Sequence, residues 1–324
     1  MIVVTGAAGF IGSALVWRLN QRGENDIVCV DTRPSDEGVE NLRPLHYREY
    51  ISHETFLQSM EAGRWSDGLR GVFHLGACSS TTEMDWDYLT RNNITYSQRL
   101  CLATLRDGAR FIHASSAATY GDGSRGYSDD HAGLGVLEPL NPYGRSKQEF
   151  DLWALENGLL ERIVALKYFN VYGPNEWHKG EMRSMVCKGF EQVRDSGRVR
   201  LFKSDHPDYP DGGQRRDFIY VKDAVDMTMW FLDRPDVNGV FNVGTGEAAD
   251  WNRLIHAIFK AMGVEPRIEY IDMPAELVGR YQYFTQADMR KLRAAGYAAA
   301  VTPLESAVED YVRHHLLTGR VLGA

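Results

Sequence analysis

The chain has 324 residues, 44% hydrophobic and 25% charged, with 36 basic against 44 acidic residues and a formal net charge of −8. Interspersed charge of that sign argues against a nucleic-acid binder, which needs a basic face, and no stretch approaches the roughly 20 apolar residues of a membrane-spanning helix. The four cysteines, Cys29, Cys78, Cys101 and Cys187, are scattered and form no CxxC pair, which argues against structural zinc or any other metal site and for a reducing, cytoplasmic compartment.

In chain order, "MIVVTG" is an apolar, β-branched run ending in glycine, and predicts a buried first strand. It lacks the basic flank of a signal peptide. "FIGSALVWRLNQRG" has helical spacing and stops at Gly23, a C-cap residue. "DIVCVD" predicts the second strand, ending on Asp31. Further strands are predicted at 71–77, 109–116, 162–173 and 239–246, with helices at 86–107 and 145–157 between them. Strands alternating with helices predict an α/β fold with a Rossmann-type, doubly wound parallel sheet. After about residue 173 the texture changes. Residues 204–217, rich in Pro, Gly and Asp, predict a long exposed loop, followed by a helix at 251–262 and a strand at 267–272. The expected division is a dinucleotide-binding domain (1–168 plus 216–246) and a smaller α/β substrate domain (169–215 plus 247–324).

"TGAAGFIG" places Gly6, Gly9 and Gly12 between the first strand and first helix. A pyrophosphate needs backbone N–H groups at close range and the positive end of a helix, and glycines remove the Cβ that would block its approach. Asp31 lies 19 residues after Gly12, where an acid meets the adenosine ribose. A carboxylate there suits the free hydroxyls of NAD, whereas Arg33 could pair the 2′-phosphate of NADP, so the residues leave both cofactors open. The small residues of "HLGACSS" (74–80) leave room for a nucleotide across the sheet's carboxyl edge.

"ASSAATYG" (114–121) puts Ser115 and Ser116 at a strand end on that same edge, where a serine can hydrogen-bond a substrate oxygen. "NPYGRSKQEF" places Tyr143 and Lys147 on one helix face. Alone, that pair reads as a solvated helix surface. Beside the glycine cradle it predicts chemistry: an ammonium lowers the pKa of a phenol, which then takes the proton of an alcohol while the hydride leaves for nicotinamide.

The glycine pattern, "SSAATYG" and Tyr-x-x-x-Lys together resemble the extended short-chain dehydrogenase/reductase family of nucleotide-sugar enzymes, and "YFNVYGP" (168–174) and "RDFIYVKD" (216–223) extend the likeness over nearly the whole chain. The dehydratases of that family carry Asp-Glu after the serine; here the positions are Ala117 and Ala118. "GACSSTTE" (76–83), "FNVYGPNEWHKG" (169–180) and "GRYQYFTQAD" (279–288) are similar to the branch that inverts C6 of ADP-linked heptoses. The resemblance implies an ADP-heptose substrate, a role in lipopolysaccharide heptose supply, NADP as cofactor with NAD possible, and a homo-oligomer, pentameric in that branch. It implies Ser116, Tyr143, Lys147 and Lys179 as catalytic residues, Lys147 and Lys179 also touching the cofactor. Unaided, Lys179 reads as a solvated loop lysine. Further implied cofactor contacts are Phe10, Ile11, Thr32, His53 (where the branch has a lysine), Gly76, Ala77, Cys78, Ser79, Asn92 and Val171. Implied substrate contacts are Asn170, Glu181 (where the branch has a small polar residue), Lys188, Phe202, Arg216 and Tyr281. Two rivals stand beside this: a UDP-hexose 4-epimerase, which needs only the tyrosine and not Lys179, and a non-catalytic dinucleotide sensor, against which the intact Ser116–Tyr143–Lys147 set argues.

Overall fold

The computed structural model describes residues 1–32, 39–274 and 282–324; Arg33 and Tyr281 lie outside the described residues. The first half alternates β1 (Ile2–Thr5), α1 (Phe10–Gln21), β2 (Ile27–Asp31), β3 (Glu49–Ser52), α2 (His53–Glu61), β4 (Gly71–His74), α3 (Trp86–Leu89), α4 (Tyr96–Arg106), β5 (Arg110–Ser116), α5 (Pro142–Glu156) and β6 (Val164–Tyr168). It continues with β7 (Asn170–Tyr172), α6 (Met185–Ser196), β8 (Val199–Phe202), β9 (Arg215–Arg216), β10 (Phe218–Tyr220), α7 (Val221–Trp230) and β11 (Gly239–Val243). The last elements are β12 (Ala249–Asp250), α8 (Trp251–Met262), β13 (Ile268–Ile271), α9 (Arg290–Ala294) and α10 (Leu304–Asp310).

Seven strands form one sheet in the order β11-β6-β5-β4-β1-β2-β3, every neighbouring pair parallel. This is the doubly wound arrangement predicted. Apart from the partly exposed edge strand β3, its strands are short and almost wholly buried because both faces are covered: Ile2 and Val4 join one core with Ala14, Leu15 and Val225, while Val3 joins the other with Phe56, Leu100 and Phe150. Alternate residues of one strand thus feed two cores. The chain leaves β1 toward β2 on one side and returns to β4 on the other, so β1 and β4 bound the crevice where parallel α/β sheets bind ligands. The ends of β1, β2, β4 and β5 deliver Gly6, Asp31, Leu75–Ser79 and Ser116 to this one edge.

Two expectations are corrected. The strand predicted over 162–173 is two strands: β6 stays in the main sheet, and β7 pairs with β10. The break falls at Phe169, which is buried with its ring 6.0 Å from those of Tyr120 and Tyr127. Burying that ring turns the chain off the sheet edge, an outcome no local pattern encodes. Residues 204–217 are not exposed throughout. Residues 205–208 lie on the surface, but Gly212, Gly213, Gln214, Arg216 and Asp217 are buried, and β9 pairs antiparallel with β12. The Asp217 carboxylate accepts hydrogen bonds from the backbone of Thr245, Gly246 and Ala287 at 2.7–2.9 Å, which draws the segment inward.

Candidate active site

The turn after β1 opens a cleft of about 480 Å³ lined by Gly6, Gly9, Phe10, Ile11, Gly12, Asp31, Thr32, His53, Gly76, Ala77, Cys78, Ser79, Asn92 and Lys179 among others. Fourteen of the predicted cofactor residues therefore meet in one cavity; Lys147 and Val171 stand outside its lining. The walls fit a dinucleotide pyrophosphate. Gly9 is the N-cap of α1 with no side-chain cap, and the first turn holds no acidic residue, so the helix presents bare N–H groups. Gly6 has φ +65°, and a Cβ on it would lie 2.7 Å from the Gly76 backbone nitrogen. The cradle and the floor beyond β4 are thus in backbone contact, leaving the space above them to a ligand. The Asp31 carboxylate is 9% exposed and accepts from the backbone N–H of Ala8 at 3.0 Å and of Thr32 at 2.8 Å, which fixes it at the cleft's far end.

The floor is braced from below. Asn93, fully buried, accepts from Cys78 N at 2.8 Å, donates to Cys78 O at 3.0 Å and donates to Ser146 Oγ at 2.9 Å, tying floor to α5. It sits in a π-helical stretch, Thr90–Thr95, that joins α3 to α4. Such single turns insert a residue and re-aim side chains. Here they direct Asn93 inward, while Asn92 lines the cleft and donates to Tyr88 O at 2.9 Å. Sequence reasoning selected Asn92 and missed Asn93; nothing in the helical period marks a π-turn.

Helix α5 begins as its Asn-Pro foretells: the Asn141 side chain accepts from Gly144 N at 2.8 Å, and Pro142 occupies the first turn. Tyr143, Lys147 and Asp151 follow at four-residue steps along one face. A side-chain hydrogen bond joins Tyr143 to Ser116. The two adjacent serines divide as strand alternation requires. Ser115 is buried and donates to Asp151 at 2.7 Å, whereas Ser116 is partly exposed and stays beside the phenol. Below them, Asp151 and Lys167 form a fully buried ion pair at 3.6 Å, with Lys167 donating to Thr119 Oγ1 at 2.7 Å.

The expected depression of the phenol is absent. Burial pushes Tyr143 above the usual phenol range, and the Ser116 hydrogen bond only partly opposes it. The same burial draws the Lys147 ammonium down to about 8, against the pull of Asp151 and of Cys78. A dry pocket disfavours both charged forms at once; the sequence reading counted the charge pair and not the desolvation.

The "PNEWHKG" loop is anchored, not solvated. Asn175 takes a left-handed conformation (φ 79°), its side chain donating to Ser13 Oγ at 3.0 Å and accepting from Leu322 N at 2.9 Å. This presents Lys179 half-buried in the cleft, its Nζ 5.4 Å from the centre of the Phe10 ring. Burial lowers its pKa and Glu176 opposes the shift.

The expected substrate residues that the structure describes lie outside the lining of this cleft. Glu181 and Lys188 pair with each other at 3.3 Å and line a neighbouring open groove of about 340 Å³. Asn170 is exposed at the start of β7, and Phe202 is half-buried at the end of β8. Arg216 is 6% exposed and donates to the carbonyl oxygens of Arg215, at 2.8 Å, and Gln282.

The arrangement is a dinucleotide cradle with a second lysine beside the Phe10 ring of α1, and a serine–phenol–ammonium set that stands outside the cleft lining next to Cys78 of its floor. Residues 2–244 match the model of the "NAD dependent epimerase/dehydratase family". The chain is 56% identical over 316 residues, 98% of each chain, to the ADP-L-glycero-D-manno-heptose-6-epimerase of Nitratidesulfovibrio vulgaris. It is 42% identical over 325 residues, again 98% of each, to the enzyme of that name from Fusobacterium nucleatum. Among solved structures, the Helicobacter pylori ADP-L-glycero-D-manno-heptose-6-epimerase superposes with a TM-score of 0.79 at 26% identity, covering 97% of this chain and 95% of the other. With the family model matching three quarters of its length and relatives matching nearly all of it, this chain belongs to the NAD-dependent epimerase/dehydratase family.

Proposed function

We propose that this chain interconverts ADP-D-glycero-β-D-manno-heptose and ADP-L-glycero-β-D-manno-heptose by oxidising C6 to a ketone and reducing it from the opposite face. The C6–H is not acidic, so direct proton removal is slow and a redox route is required. The observation that carries the reading is Lys179: a second titratable cation held in the dinucleotide cleft, apart in sequence from the Tyr143–Lys147 pair. Inversion at a ketone needs the carbonyl presented on both faces, and two proton-transfer groups serve the two presentations.

When bound, the nicotinamide supplies the hydride acceptor and donor. Ser116 orients the C6 oxygen, Tyr143 takes its proton, and Lys147 stabilises the phenolate from the next turn of α5. Lys179 performs the same proton transfer for the other epimer. The dinucleotide in this reading is NADP, with His53 lining the adenosine end of the cleft beside Asp31 and Thr32; NAD is the alternative that Asp31 favours. Residues 1–168 with 216–246 hold the dinucleotide and 169–215 with 247–324 the sugar nucleotide, where Asn170 and Phe202 lie, with Arg216 at the boundary between them. The assembly is a cytoplasmic homo-oligomer, a pentamer by the resemblance. Among the described residues no helix is long and apolar enough to cross a membrane.

Incubation with ADP-D-glycero-β-D-manno-heptose should yield a mixture of both C6 epimers by NMR, and denaturation should release NADP. An unchanged sugar contradicts the reading.

The pH dependence follows from Lys147. Its ammonium form is the active one, and its folded-state pKa is about 8. Turnover should therefore fall as pH rises through about 8, well before an unperturbed lysine at about 10.4 would titrate. A flat kcat profile up to pH ~10 would contradict the assigned charge state.

A further inference from the structure

Glu176 is a buried carboxylate that the chemistry described so far leaves without a task. It is 1% exposed. One oxygen accepts from Ser184 Oγ at 2.6 Å, Tyr311 Oη at 3.0 Å and Gly173 N at 3.4 Å. The other accepts from Ser184 N at 2.5 Å. Gly173 and Ser184 flank the loop that carries Lys179, and Tyr311, fully buried, follows directly on α10. Four donors from both ends of one loop and from the C-terminal helix therefore converge on a single carboxylate. The Glu176 carbonyl also accepts from Lys179 N at 3.0 Å, so the two residues sit in one turn.

Burying a carboxylate is costly unless it is fully hydrogen-bonded, and here both oxygens accept, which a carboxylate can do and a neutral amide cannot. Glu176 also favours the ammonium form of Lys179, against the burial that disfavours it. Its position and its charge thus act on the same side chain.

We propose that Glu176 is a positioning residue for Lys179, its carboxylate holding the loop over the cleft and keeping the lysine able to carry the proton it donates. The inference rests on the proposed C6 epimerisation. In the step concerned, the C6 hydroxyl loses its proton to the Lys179 amine as the hydride leaves C6 for the nicotinamide; in reverse, the ammonium returns the proton to the ketone oxygen as the hydride returns to carbon. No further reductant or oxidant enters.

The test is a single-turnover experiment on the holoenzyme, mixing each purified C6 epimer separately and following the absorbance of reduced nicotinamide. In Glu176→Gln, the return of hydride that forms the epimer protonated by Lys179, read as the decay of that absorbance, should slow by roughly tenfold or more. Reduction from the epimer served by Tyr143, on the separate helix α5, should stay within about twofold. Glu176→Asp, which keeps the charge, should recover part of the loss. Equal slowing from both epimers would show a merely structural role and overturn the inference, as would unchanged rates from both. Should Glu176→Gln not fold, Tyr311→Phe removes one donor and leaves the carboxylate in place. It should show the same one-sided slowing at about threefold, and an equal effect on both epimers overturns the inference there too. A wild-type enzyme that reduces its cofactor with neither epimer overturns the functional reading itself, a different outcome from symmetric slowing in the variant.

Discussion

Replacing Tyr143 with phenylalanine should lower kcat for epimerisation by about a thousandfold, within the range usual for loss of a general acid–base group. The substitution removes one oxygen and keeps the ring that packs at the start of α5. Ser116 and Lys147 keep their elements, so the dinucleotide should remain bound at wild-type stoichiometry. The loss should therefore appear in kcat and in the rate of nicotinamide reduction, with little change in KM. No neutral group nearby replaces it: the Ser116 hydroxyl is a far weaker acid than a phenol and stays protonated at neutral pH. A Tyr143→Phe enzyme retaining more than about a tenth of wild-type turnover would remove this residue from the reaction.

The second large effect concerns the cradle. Gly6→Ala should abolish dinucleotide retention and destabilise the protein by about 2–4 kcal/mol. Two costs add. An alanine at φ +65° sits in the left-handed region, and its Cβ meets the Gly76 nitrogen at 2.7 Å and the Gly76 Cα at 2.8 Å. Both are backbone atoms at the end of β4, held by Thr5 Oγ1 accepting from Gly76 N at 3.0 Å and by the Asn93 brace two residues on. The floor must shift, and with it the surface on which the nucleotide lies. Gly9→Ala is the matched control: its φ is negative, and its nearest contact is Gly6 O at 3.0 Å. It should melt closer to wild type and retain part of its cofactor. Thermal unfolding together with the dinucleotide content of the purified protein measures both effects. Equal behaviour of the two variants would mean that the turn after β1 does not control the cleft.

Local patterns revealed much of this molecule. β1, its glycine turn and α1 are contiguous in sequence, so their period and composition carry the cradle unaided. Asn141-Pro142 announced α5, and with it the shared face of Tyr143 and Lys147. Contacts between distant segments left no such trace. The break at Phe169 follows from rings contributed by residues 120 and 127. The burial of residues 212–217 follows from Asp217 meeting the backbone at 245, 246 and 287. Asn93 needed the π-turn to reach Cys78 and Ser146, and Glu176 needed Tyr311, 135 residues away. Lys179 is the sharpest case: by sequence a loop lysine, it reaches the cleft because Asn175 and Glu176 bind partners throughout the chain. Tyr143 failed in a different way. Its neighbour was legible and its dryness was not, and desolvation outweighed the cation.

The central claim is that one hydride leaves C6 and the same hydride returns to the opposite face. ADP-heptose carrying deuterium at C6, incubated with the enzyme in ordinary water, tests it directly. The account predicts an epimerised product that keeps its deuterium at C6, and unlabelled substrate turned over in heavy water that gains none there. Loss of the label to solvent in step with inversion would mean that C6 exchanges a proton, and would contradict the account.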